Sequence, residues 1–137
     1  RISAMAVKVD EGVRNAVLAF QTGDRMLAAE TILADHPINR AMREIDRLCH
    51  AFIAVHLPSG IHLRMLSAAI RINIALERIG DYAVTIARTS EQLNEPPEGA
   101  MSRELERIAY AANTMLTQAI DAYNEMNAEK ARATMVM

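Results

Sequence analysis

From Ile61 to Leu93 nothing in the chain stops a helix: proline is absent and Gly80 is the only glycine. At 1.5 Å per residue this run makes a rod of roughly 50 Å, which needs partners along its length to be stable. Its side chains sort by angle, at about 100° per residue. Arg64, Arg71 and Arg78 stack seven apart on one face, joined by Thr85 and Thr89, and form the expected water-facing side. Met65, Ile72, Leu76, Ile79, Ala83 and Ile86 fill the opposite arc and are the expected core stripe. Asn73, Glu77 and Asp81 follow one another four apart on a third flank, among Leu66, Ile70, Ile74 and Val84. Buried unpaired charge is costly. Two carboxylates and an amide on a mostly apolar flank are therefore expected to be paired, protonated or bound to a cation.

The rest of the composition agrees with an all-α fold. Apolar residues make up 51% of the 137, yet aromatics are only 4%, so the enrichment that strands favour is missing. That length supports one well-formed core but not two ordinary domains. A net charge of −2 gives no drive towards nucleic acid. Cys49 is the only cysteine, which points to a reducing compartment. No apolar run is long enough to span a bilayer, so membrane association is expected only through a partner. The chain opens on Arg1 rather than methionine and is expected to be part of a larger protein.

Five helices are expected. The first covers about Ile2 to Phe20, and Asp24 is placed to cap the second, from Arg25 to about His56. Pro37 lies inside that second helix and predicts a kink or a break into two. Leu57-Pro58-Ser59-Gly60 reads as a tight turn into the long third helix. Residues 94–100 form a linker around Pro96 and Pro97, and a fourth helix follows from about Met101 to Tyr123. Its expected buried stripe is Leu105, Ile108, Ala112, Met115, Leu116, Ala119 and Tyr123. A fifth helix begins near Asn127. Sliding the chain by 103 residues pairs Val17 with Ile120, Phe20 with Tyr123, Asp24 with Asn127 and Thr31 with Thr134. Residues 1–93 are thus read as one three-helix unit and 101–137 as the start of a second, truncated copy.

The turn near residue 58 makes the second and third helices antiparallel, so residues equidistant from it lie side by side. Asp81 then faces Asp35, Glu77 faces Asn39, and Asn73 faces Arg43. Two readings follow. Arg43 or Arg40 pairs with Glu77 and Asp35 in a neutral polar seam that sets helix register. Alternatively, Glu77, Asp81, Asn73, Asp35 and Asn39 form a hard-cation or iron site, since clustered oxygen ligands suit such ions. No Glu-x-x-His pair, Ser/His/Asp constellation or P-loop is present, and no catalytic residue is assigned. The four histidines show no ligand spacing, and Cys49 reads as a small core residue.

The run Ile72-Asn73-Ile74-Ala75-Leu76-Glu77-Arg78-Ile79-Gly80-Asp81-Tyr82-Ala83 resembles the signature helix of the PhoU family of phosphate-uptake regulators. Asp35-His36-Pro37-Ile38-Asn39 is similar to that family's Asp-x-x-Ile-Asn element, and Leu57 to Arg64 to its turn. Leucine replaces the family's glutamine there, and His62 its aspartate. The resemblance implies a PhoU-like three-helix bundle with long antiparallel helices. It also implies a cytoplasmic, non-enzymatic regulator, often a homodimer, that contacts a phosphate ABC transporter and a sensor histidine kinase. An iron or other divalent metal cluster on Glu77 and Asp81 is implied too, with Asn73, Asp35 and Asn39 as further ligands. Two alternatives stay open: a PhoU-like module attached to another ion transporter, and a carboxylate-bridged metal-binding bundle.

Overall fold

A computed structural model describes residues 1–136, and among them there are five helices and no strand. They are α1 (Ile2–Thr22), α2 (Arg25–His56), α3 (Gly60–Gln92), α4 (Gly99–Asn124) and α5 (Ala128–Thr134). Local chemistry sets the ends. Gly23 takes the left-handed conformation that closes α1, and the Asp24 carboxylate accepts the amides of Met26 and Leu27, each at 3.0 Å, to open α2.

Helices α1, α2 and α3 pack against one another as a bundle, and α4 packs on α1. Their contact lines follow an alternating three-and-four spacing, the seam of a coiled coil. On α1 the line is Ile2, Met5, Val9, Gly12, Ala16 and Ala19; on α2 it is Ala28, Thr31, Asp35, Ile38, Met42, Ile45 and Cys49. On α3 it runs Ala69, Asn73, Leu76, Gly80, Ala83, Ala87 and Ser90, all buried. Most of these α3 residues are small, which lets its neighbours approach closely.

This differs from the expected α3 stripe. Leu76 and Ala83 are buried as expected, but Met65 is exposed and Ile72, Ile79 and Ile86 are only half-buried. Tight helix contact selects small side chains for the seam, and the bulkier isoleucines sit beside it. Pro37 also departs from expectation, since α2 continues through it as one helix. Both Pro37 and Leu33, whose carbonyl loses its donor, lie on the exposed side, where water can take the vacant bond.

Helix α4 runs antiparallel to α1. Ser3 donates to Asn124 Oδ1 at 2.9 Å near one end, and Gln21 donates to the Ser102 carbonyl at 3.1 Å near the other. Of the expected α4 stripe, Leu105, Leu116 and Tyr123 are half-buried, whereas Ile108, Ala112, Met115 and Ala119 are exposed. Ala112, Met115 and Ala119 border a furrow between α3 and α4. Two apolar cavities of about 590 and 400 Å³ follow it and share Ile72 and Ala119 in their walls.

The 103-residue offset reappears in the backbone. Met126 is left-handed where Gly23 is, with φ of 55° against 70°. Asn127 accepts the amides of Glu129 and Lys130, as Asp24 does for its own helix. Buried Thr31 and Thr134 each donate to the carbonyl four residues back.

Leu76 is 1% exposed and sits mid-seam. Leu76→Ala is expected to cost about 2–5 kcal/mol by urea denaturation, and a loss below about 1 kcal/mol would place the seam elsewhere.

Candidate functional site

The α2–α3 pairing puts Asn73 and Asp35 within one position of where the antiparallel arithmetic predicts. Asn73, 4% exposed, donates through Nδ2 to the Met42 carbonyl at 3.0 Å, one residue from the expected Arg43. Its Oδ1 is buried without a partner. An amide at a seam position, half satisfied, fixes the register of two helices at some cost in stability.

Two layers away along the seam lies Asp35. It is half-buried, accepts a hydrogen bond from Asn39 on its own helix, and faces Gly80 of α3. A Cβ at Gly80 would lie 3.5 Å from Asp35 Oδ1, so alanine fits there but a longer side chain meets the carboxylate. Burial pushes the Asp35 carboxyl above its ordinary value, and the negative charge of Asp81 pushes the same way. His36, the Asn39 amide and Arg88 oppose that shift. The structure thus brings Asp35, Asn39, Gly80 and Asp81 together.

Glu77 and Asp81 are exposed, not turned away from water as the flank reading expects. The physical reason is angular. Steps of four residues gain about 40° each on a 3.6-residue helix, so a ladder that begins in the seam at Asn73 has climbed out of it by Glu77. The expected pairing of Arg40 or Arg43 with Glu77 and Asp35 is not formed; both arginines are exposed, and none of these residues joins an ion pair among the described residues.

The same geometry tests the metal reading. Among the described residues no three His, Cys, Asp or Glu side chains gather as a ligand set. Asp35 and Asp81 offer two carboxylates, while Asn39 and Asn73 donate through Nδ2 to Asp35 and to the Met42 carbonyl, and the free Asn73 Oδ1 lies buried at another level of the seam. A closed, resident metal site does not fit this donor set. The buried Thr31 and Ser90, neither of which the sequence marks as a site residue, bond to carbonyls of their own helices and serve packing.

The fold and site together define an all-α bundle of long helices with an acidic α2–α3 pair. The PhoU domain family matches residues 2–90, and the chain belongs to the PhoU family. It is similar to the phosphate-specific transport system accessory protein PhoU homolog of Pseudomonas putida, at 34% identity over 93% of this chain and 50% of that protein. The homolog of the same description from Caulobacter vibrioides is 28% identical over 95% of this chain and 57% of its own length. The crystal structure of PhoU from Pseudomonas aeruginosa superposes with a TM-score of 0.89 and 32% identity, over 96% of this chain and 64% of that one. The chain therefore spans about half the length of these curated relatives.

Asp35 supplies a pH test. Unfolded, a carboxyl of this kind titrates near 3.8; folded, it holds its proton more tightly. Its stabilising contribution is therefore fully present below that pH and is lost as pH rises through the higher, folded value. Asp35→Asn is expected to raise Tm at pH 7 and to leave it nearly unchanged at pH 3, by thermal melting at both. An equal effect at the two pH values would remove Asp35 from the linkage.

Proposed function

We propose that the chain is the first repeat, and the beginning of the second, of a cytoplasmic regulator of phosphate uptake and phosphate-starvation signalling that acts by contact rather than catalysis. The observation that carries this reading is the match of residues 2–90 to the PhoU domain, supported by the superposition on the Pseudomonas aeruginosa structure. The partners in this reading are a phosphate ABC transporter and a sensor histidine kinase. No helix among the described residues is long and apolar enough to cross a membrane, so the bilayer is reached through the partner.

The shared cap geometry at an offset of 103 residues supports a second repeat beginning at α4. In this reading the α3–α4 furrow is the seat of that repeat's long helix, and the regulator works as a homodimer. Immobilised chain is expected to retain a detergent-solubilised phosphate ABC transporter or the sensor kinase, and not an unrelated ion transporter. Retention of neither would retire the reading; equal retention of an unrelated transporter would favour a general transporter-attached module.

A second reading concerns cations. Asp35 and Asp81 lie close enough for one charge to raise the other's pKa, and Glu77 stands exposed one turn away. Two such carboxylates share a proton or a cation more readily than they bear two charges. The proposal is an open patch that takes iron or another divalent ion weakly, with remaining ligands from outside these residues. Elemental analysis of protein purified without chelator is expected to find metal that the Glu77→Ala/Asp81→Ala variant lacks. Equal metal content in both would exclude these ligands.

A further inference from the structure

The outer face of α3 carries charge that the fold leaves unused. Arg64, Arg71 and Arg78 are all exposed and stand seven residues apart, so their stems rise from the rod about 10.5 Å from one another. Arg1, Arg14, Arg47, Arg107 and Lys130 each hold a carboxylate, whereas these three enter no ion pair among the described residues. The sector within about 60° of their line holds one acidic residue, Asp81, three positions after Arg78. It also presents Ile74, 51% exposed, and Tyr82, 60% exposed. A protein with net charge −2 thus displays a row of three arginines with one carboxylate and apolar side chains beside it.

We propose that this face docks an acidic helix of a partner protein, laid along α3 with carboxylates at every seventh position. A heptad places such carboxylates about 10.5 Å apart, the spacing of the guanidinium stems. Three cations in file suit a row of charges better than one small anion. Arginine and tyrosine are also the residues that most often dominate protein interfaces, and an apolar side chain between the charges gives the partner a surface to bury against. Glu77 and Asp81 flank the row and oppose a flat anionic membrane, which could not avoid them. A helix about 10 Å wide can lie on the row with Asp81 at its edge and Glu77 clear of it. The proposal rests on the reading that the chain works by protein contact, and it names the surface and the chemistry of that contact.

The test titrates the chain with a fluorescein-labelled synthetic helical peptide bearing three glutamates seven apart, followed by anisotropy. The peptide is expected to bind, to bind more weakly as salt rises, and to lose at least tenfold in affinity with Arg71→Glu/Arg78→Glu. A peptide with lysines in place of the glutamates should bind that double variant, which also shows that the variant is folded. Equal affinity of parent and variant for the acidic peptide overturns the proposal, as does binding of phosphatidylserine vesicles without binding of the peptide. Transporter retention by the double variant separates the two readings. Undiminished retention removes this face and leaves the regulator standing, whereas peptide binding without transporter retention by the parent upholds the face and removes the regulator.

Discussion

Everything in this fold depends on how closely α1 and α2 can approach α3. Ala69, Gly80, Ala83, Ala87 and Ser90 keep the α3 seam shallow, and Leu76 is the one large side chain sunk fully into it. Dispersion and burial grow with such close contact, because small interlocking residues leave little void between backbones. The same shallowness admits two polar intruders. Asn73 reaches across to the α2 backbone, and Asp35 points from α2 at the bare Cα of Gly80. Each intruder is tolerated only at its own level of the seam, so between them they prevent the two rods from sliding.

Seen end on, α3 has three sides with separate uses. The seam holds α1 and α2. The side bearing Ile72 and Ile79 borders the furrow towards α4, where apolar surface remains uncovered by the described residues. The outer side carries arginines free of ion pairs. Glu77 and Asp81 sit between seam and solvent, which explains why one of them can influence the half-buried Asp35 while both remain in water. In this PhoU family member the stabilising seam and the proposed contact face share a single helix but not a single side.

Much of this was legible from residue types alone. Asp24 and Asn127 announce helix starts through their side-chain acceptors, and the turn around Pro58 dictates which residues of α2 and α3 are neighbours. Hence the pairing of Asp35 with Asp81, and of Asn73 with the Met42–Arg43 step, emerges from counting. The rotation of α3 does not. A pattern weighted by apolar bulk chooses Ile72, Ile79 and Ile86, whereas close packing chooses the glycine, alanine and asparagine beside them. Glu77 and Asp81 look sheltered for another reason, their apolar flank neighbours Leu66, Ile70, Ile74 and Val84, none of which is itself fully buried. On α4, apolar periodicity marked surface able to be buried, but it cannot say whether the residues that would cover it lie within the chain.

Helix α2 passes through Pro37 without interruption, yet it does so with one rung of its hydrogen-bond ladder missing. A long rod loaded at its ends flexes where its ladder is weakest, and that point lies two residues from Asp35. Mechanical compliance and the carboxylate pair therefore coincide. A partner bending α2 at this point would move Asp35, and with it the level of the seam that packs against Gly80.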